Sequence, residues 1–259
     1  MDHLLDFSGK TAIITGAGSG FGAALALELA SRGASLVLAD INASGLQATA
    51  RSILDAGGSV IAEVGDITEE QHSRKLVELA VDELGGLDIA VNNAGLAPDL
   101  GTTEQIDSAV LDKQFSVNVK GVAFGMKYQL PALVARGGGA ILNVSSMAGL
   151  GGAPLVASYS AAKHAVIGLT KTASFEYAAQ NVRVNAICPF FTQTPMVMDS
   201  PISGGRSLEE LNQALARGCP MKRIAERDEV VCVMLMMLSP KNTYMNGVAI
   251  PVDGGMSAI

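Results

Sequence analysis

Seven short apolar runs rich in Val, Ile and Ala recur along the chain, with longer helical patterns between them. The runs are Thr11–Thr15, Ser35–Asp40, Ser59–Asp66, Leu87–Asn93, Ala140–Ser146, Val182–Cys188 and the segment GVAIPVDGG at 247–255. Between the third and fourth, Leu76, Leu79, Ala80 and Leu84 repeat at helical spacing over Glu69–Gly85. Long helical patterns also cover Leu111–Arg136 and Ser158–Gln180. Strands joined through helices pair in parallel, because each crossover returns the chain to the same end of the sheet. The runs are continuously apolar, as strands covered on both faces must be. The expected fold is α/β: a doubly wound, seven-stranded parallel sheet with helices on both faces.

No break in composition divides the 259 residues, so residues 1–259 read as a single domain. Trp is absent and hydrophobic residues make up 49% of the chain, so Ala, Val, Leu, Ile and Met must fill the core. A net charge of −7 with no basic run argues against a nucleic-acid partner. The longest apolar run, Val230–Leu238, is far shorter than the roughly 20 residues a membrane span needs. The N-terminal MDHLLDF lacks the basic patch and apolar stretch of a secretion signal. Cys188, Cys219 and Cys232 have no metal-ligand spacing and read as buried, reduced thiols. A cytoplasmic protein without a metal is expected. Phe190–Pro220 breaks the strand–helix rhythm and is rich in Pro, Ser, Gly and Met, which predicts a lid at about 190–220.

After the first run, Thr15-Gly16-Ala17-Gly18-Ser19-Gly20-Phe21-Gly22 leads straight into a helical pattern. Glycines let the backbone turn sharply and approach a pyrophosphate, and a helix N-terminus offers it free N–H groups and a positive dipole. The strand–turn–helix setting makes this a dinucleotide site, with Gly16, Ser19, Gly20, Phe21 and Gly22 as contacts. The second run ends in Asp40, whose carboxylate can accept the adenosine ribose hydroxyls and repel a 2′-phosphate. No basic residue follows it, so NAD is expected over NADP. Asp66 and Ile67, ending the third run, are placed beside the adenine.

Together these residues resemble the short-chain dehydrogenase/reductase family. Thr15–Gly22 is similar to its T-G-x-x-x-G-x-G turn, Asn92-Asn93-Ala94-Gly95 to its N-N-A-G motif, and Asn118, Ser146, Tyr159 and Lys163 to its catalytic tetrad. The match runs from about Gly9 to Gly255 and implies a Rossmann-type fold, an alcohol dehydrogenase activity and a homotetramer. Asn93 and Gly95 are then cofactor-cleft residues.

Tyr159 and Lys163 stand four residues apart, on one face of a helix. A free phenol has a pKa near 10 and is a poor base at neutral pH, but a nearby cation lowers it. The resemblance implies that Tyr159 exchanges the alcohol proton while hydride passes to the nicotinamide. In it Lys163 supports the phenolate and holds the cofactor ribose, Ser146 binds the substrate oxygen, and Asn118 holds a water on the proton path. Its thirteen-residue spacing selects Ser146 over Ser145, which is left structural. Pro189, Thr192 and Thr194 fall at positions that contact the nicotinamide side. Phe190 stands where the family has Gly, and a bulky residue does not readily take positive φ. Either the turn differs or the ring projects into the pocket.

Leu96, Met147, Leu150, Leu155, Phe190, Phe191, Met196 and Met198 are candidate pocket residues, and none is basic. With Ser146 and Tyr159 they predict an apolar or cyclic secondary alcohol or ketone as substrate. The alternatives are an NADPH-dependent 3-oxoacyl thioester-type reductase and a non-catalytic nucleotide-sensing regulator. Asp40 argues against the first, and an intact tetrad against the second.

Overall fold

The computed structural model describes residues 3–199 and 202–258. Its strands are β1 (Thr11–Thr15), β2 (Ser35–Asp40), β3 (Ser59–Val64), β4 (Ile89–Asn92), β5 (Gly139–Val144), β6 (Val182–Pro189) and β7 (Ala249–Val252). All pair in parallel, in the order β3-β2-β1-β4-β5-β6-β7. The sheet is the one expected, with most strand ends within two residues of the apolar runs.

Alternate strand residues feed two cores. Ala12, Ile14, Leu36, Leu38, Ile89 and Val91 pack with helices α1 (Gly20–Ser31), α2 (Ala43–Asp55) and α9 (Arg227–Leu238). Ile13, Val37, Ala90, Ile141 and Val184 face α3 (Glu70–Leu84), α5 (Gly121–Ala135) and α6 (Ala157–Tyr177). The inner strands β1, β2, β4, β5 and β6 are therefore largely sealed from water on both sides, and apolar residues are favoured along them, whereas the edge strands β3 and β7 stay part-exposed. On α9, Val230, Val231, Met234, Leu235, Met237 and Leu238 are buried. Cys232 points outward and is exposed, which corrects the expectation of three buried thiols; Cys188 and Cys219 are buried. A nine-residue apolar run on a surface helix still turns part of its circumference to water.

Two other segments depart from the sequence reading. The pattern at Leu111–Arg136 divides into α4 (Ser108–Phe115), a π-helical turn (Ser116–Lys120) and α5. Asp107 starts α4 by accepting from the N–H groups of Ala109 and Val110. The segment expected to form a lid carries two short helices, α7 (Pro195–Met198) and α8 (Leu208–Leu215). Ser207 and Glu210 close a reciprocal capping box at the start of α8. Ser200 and Pro201 lie outside the described residues.

Strand order reverses between β1 and β4, and the helices leaving these strands diverge there. A crevice opens at their carboxyl ends, the usual place for a ligand in such sheets.

Candidate active site

The crevice holds a cavity of about 490 Å³. Its lining includes Gly16, Ser19, Gly20, Phe21, Asp40, Asp66, Ile67, Asn93, Gly95, Leu96, Thr194 and Met196, all named from sequence. Ile41, Gly65, Ala94, Lys113, Val117 and Pro195 also line it and were not foreseen. Most of these enter through backbone or one apolar face, which leaves no mark in residue type. Lys113 is the one basic residue in the lining.

The glycine turn is pinned from three sides. Asn93 donates its side-chain amide to the carbonyls of Thr15 (2.9 Å) and Gly16 (3.1 Å). Gly16 sits at φ +67°, and a β-carbon there would stand 2.8 Å from Ala94 Cα, so only glycine fits. Asp40 Oδ2 accepts from the Gly18 N–H at 2.8 Å, and Oδ1 from the Asn42 N–H at 2.8 Å. Ser19, the N-cap of α1, makes no side-chain capping bond, so the first N–H groups of the helix remain available. A turn held this close, with an uncapped helix behind it, suits a pyrophosphate. Asp40 beside it suits the ribose diol of an adenosine.

At the other end of the crevice the four tetrad candidates come together. Ser146 follows β5, its hydroxyl accepts from the Ala148 N–H at 3.2 Å, and it acts on the phenol of Tyr159, on the first turn of α6, in the direction that favours ionisation. Ser145 turns away and donates to the Lys163 carbonyl at 2.9 Å. The two adjacent serines thus separate, Ser145 bracing α6 and Ser146 capping the 3-10 turn that follows β5. Lys163 is 4% exposed; its Nζ donates to the Val144 carbonyl at 3.0 Å and lies 5.5 Å from the Tyr159 ring centroid. Asn118, in the π-helical turn, accepts from the Leu96 N–H at 3.0 Å and donates to Gln114 Oε1 at 2.6 Å. A β-carbon at Gly95 would meet Asn118 Oδ1 at 2.7 Å and Lys163 Nζ at 3.5 Å. Gly95 is therefore the spacer that lets Asn118 and Lys163 converge.

The electrostatics correct one expectation. In the chain alone, burial pushes the Tyr159 phenol up to about 12, with the Ser146 hydrogen bond opposing. Burial pushes the Lys163 ammonium down to about 8. With Nζ donating to the Val144 carbonyl and 5.5 Å from the ring centroid, burial and not the cation sets the direction of the phenol's shift. Cys188 lies beneath this group, its thiol pushed up to about 11 by burial. Among the described residues, no three His, Cys, Asp or Glu side chains gather to hold a metal ion.

The candidate pocket residues scatter more widely. Leu150, Leu155 and Met196 are exposed, Met147 half-buried at the start of the 3-10 turn Met147–Gly149. Leu155 is held at φ +67° while its carbonyl accepts from the Gly101 N–H at 2.8 Å. Phe190 is not among the residues with positive φ, so the turn differs from a glycine turn. Its N–H donates to the Val252 carbonyl, and its ring meets that of Phe191 edge-on at 4.8 Å. Both rings pack on Ala216, Cys219 and Ile224, outside the crevice lining. They anchor the segment carrying α8 rather than projecting into the crevice. Met198 is half-buried on α7, Pro189 closes β6, and Thr192 is buried with its hydroxyl on the Phe190 carbonyl.

A buried amide chain escaped the sequence reading. Asn92 pairs with Gln129 and Asn143, and Asn143 donates to Thr170 at 2.9 Å. These side chains satisfy one another beneath the site and join β4 and β5 to α5 and α6.

A family model described as "Enoyl-(Acyl carrier protein) reductase" matches residues 16–257. Cyclohexanol dehydrogenase of Acinetobacter sp. (strain SE19) is 36% identical over 252 residues, covering 97% of this chain and 96% of its own. Cis-4-hydroxycyclohexanecarboxylate dehydrogenase of Sinomonas cyclohexanicum is 36% identical, with 98% of each chain covered. The crystal structure of levodione reductase superposes with a TM-score of 0.91 at 34% identity, over 97% of this chain and 99% of that one. With the glycine turn, the crevice and the Ser146–Tyr159–Lys163 group in place, the chain belongs to the short-chain dehydrogenase/reductase family, oxidoreductases that act on CH–OH groups with a nicotinamide dinucleotide.

Proposed function

We propose that this chain interconverts a cyclic or otherwise apolar secondary alcohol and its ketone, using NAD(H). The observation that carries the reading is the convergence of Tyr159, the buried Lys163 and Asn118: Lys163 Nζ lies 5.5 Å from the Tyr159 ring centroid, and Asn118 and Lys163 meet across Gly95. Two of the named relatives act by their names on a cyclohexane ring, and Leu96, Met147 and Met196 offer a ring only apolar surface.

In this reading Gly16, Ser19, Gly20, Phe21 and Gly22 hold the pyrophosphate, Asp40 the adenosine ribose, and Asp66 and Ile67 the adenine side. Asn93, Gly95, Pro189, Thr192 and Thr194 flank the nicotinamide end. The bound cofactor supplies a hydride acceptor and, when oxidised, a positive charge close to Tyr159. Ser146 donates to the substrate oxygen and orients it toward Tyr159. Tyr159 takes the hydroxyl proton in oxidation and returns it in reduction. A phenol at about 12 in the chain alone is a strong acid–base mismatch at neutral pH, so the added positive charge matters to its ionisation. Lys163 holds the ribose and supports the phenolate. Asn118, with one amide N–H and one lone pair still uncommitted, holds the water that connects Lys163 to solvent.

Asp40 supports NAD over NADP: its carboxylate sits against the Gly18 backbone, where a 2′-phosphate would meet negative charge. The chain is read as one domain over 1–259, cytoplasmic, and a homotetramer. Phe175 on α6 is 89% exposed, which suits burial between subunits. No helix among the described residues is long and apolar enough to cross a membrane.

The test is NADH absorbance with a panel of cyclic and linear secondary alcohols, run beside NADP. Turnover of cyclic alcohols with NAD is expected, and Tyr159→Phe should lose about 100-fold or more while binding NADH as before. Preference for NADP would remove the role given to Asp40. A Tyr159→Phe enzyme at near wild-type rate would remove the mechanism.

A further inference from the structure

A cavity of about 670 Å³ lies at the opposite end of the sheet, at the amino ends of β1, β4, β5 and β6. Lys10, Arg136 and Arg183 line it with a single carboxylate, Asp88. This concentration of positive charge stands in a chain of net charge −7. Asp88 is already committed. It accepts from Lys10 Nζ at 3.0 Å and from the Thr11 N–H at 3.0 Å, and lies 3.6 Å from Arg136 Nε.

Arg183 is half-buried and, among the described residues, has no carboxylate within 4.0 Å. Its guanidinium donates to the carbonyls of Met245 (3.2 Å), Met237 (3.2 Å) and Ser239 (3.5 Å). Two of these close α9, so the helix dipole offsets part of the charge and no more. Beside it, Thr243 and Tyr244 make no hydrogen bond with the described residues, leaving two N–H groups and two hydroxyls facing the cavity or solvent. Three cations, one engaged carboxylate and a row of uncommitted donors form the complement of an anion. The volume falls within the range of small-molecule sites, about 300–1,000 Å³.

We infer that this cavity is a second ligand site, separate from the crevice, that takes a small dianion such as a phosphate monoester or a dicarboxylate. Lys10 and Arg136 contribute charge from one wall, Arg183 from the floor, and Thr243–Tyr244 the directional donors. The site does not depend on the dehydrogenase reading, because it shares no residue with the crevice.

Thermal unfolding with increasing inorganic phosphate, and separately succinate, tests this on the full chain. Saturating NADH is present to occupy the glycine turn, and chloride at equal ionic strength is the control. A saturable rise in melting temperature beyond that in chloride is expected. Arg136→Gln and Lys10→Gln should each raise the half-saturating concentration about tenfold, the effect of losing one charge-assisted contact. Both residues are part-exposed, so either variant can be made without opening the core. Binding by phosphate but not succinate identifies a phosphate ligand within the proposal, and the reverse a dicarboxylate. A response equal to chloride, or unchanged in both variants, overturns it.

Discussion

Lys163→Met should leave the fold as stable as before, or more so, while stopping turnover. The ammonium is buried and has no carboxylate partner among the described residues. Held at about 8 rather than 10.5, it costs the folded chain about 3 kcal/mol at pH 7, at about 1.4 kcal/mol per tenfold change in proton affinity. Against this stand the hydrogen bond to the Val144 carbonyl, whose loss costs about 1–3 kcal/mol, and the contact over the Tyr159 ring, worth about 0.5–1 kcal/mol. A methionine of similar length removes the first cost and forfeits the other two. The net change lies near zero, quite unlike the 3–5 kcal/mol typical of breaking a buried ion pair. The pH dependence sharpens the comparison. The folded lysine binds protons more weakly, so its penalty is full below about 8 and fades as pH rises from 8 to 10.5. Tyr159, pushed upward, works against stability at higher pH in wild type and variant alike. Cys188, whose thiol Lys163 draws downward, is pushed further up in the variant, so it adds to the wild-type-minus-variant difference in the same direction as the lysine. Urea denaturation without cofactor from pH 7 to 10.5, with turnover measured in parallel, decides it. A loss of several kcal/mol at pH 7, or a stability difference that does not change across that window, would refute the reasoning.

Two further perturbations address other parts of the molecule. Asp40→Ala should raise KM for NAD at least about tenfold and narrow the preference over NADP, through the lost charge and the lost Gly18 contact; an unchanged ratio of kcat/KM values would count against Asp40. His72, packed under Gly65 with Nε2 the one buried side-chain polar atom lacking a partner among the described residues, is held below its ordinary 6.5 by burial. The unfolded chain then binds the extra proton, so stability falls as pH drops below 6.5, and His72→Gln should flatten that decline in urea midpoints; an identical slope would show that the loss arises elsewhere.

The parts of the fold most legible in the sequence were those carried by periodicity. Buried parallel strands need apolar residues along their length, and the runs of the inner strands are legible for that reason; the part-exposed edge strands β3 and β7 are legible through their β-branched residues and place in the rhythm. Features set by a single backbone step were not legible. The π-helical turn at Ser116–Lys120 inserts one residue into a helix without disturbing its apolar pattern, so Leu111–Arg136 read as unbroken. Asn118 was found through its resemblance, but its bonds to Leu96 and Gln114 could not be. Phe190 signalled an altered turn, whereas the packing of its ring on Ala216 and Ile224 depends on α8, distant in sequence. The pairing of Asn143 and Gln129 leaves no mark in the sequence because their partners come from other elements.

The engagement of Asp40 with Gly18 bears on how such a chain could change its cofactor. One oxygen of the carboxylate accepts from the Asn42 N–H and, under the proposed function, serves the adenosine end, while the other helps keep the glycine turn in shape. A β-carbon at Gly18 would stand 2.9 Å from that same oxygen, and one at Gly45 would press 2.6 Å from the Gly18 carbonyl. Exchanging Asp40 for a neutral or basic residue alone would admit a 2′-phosphate onto a loosened turn. A lineage, or an engineer, moving this scaffold toward NADP must therefore rebuild the neighbourhood of Gly18 and Gly45 in the same step, so the route between the two cofactors is a coupled change rather than a single substitution.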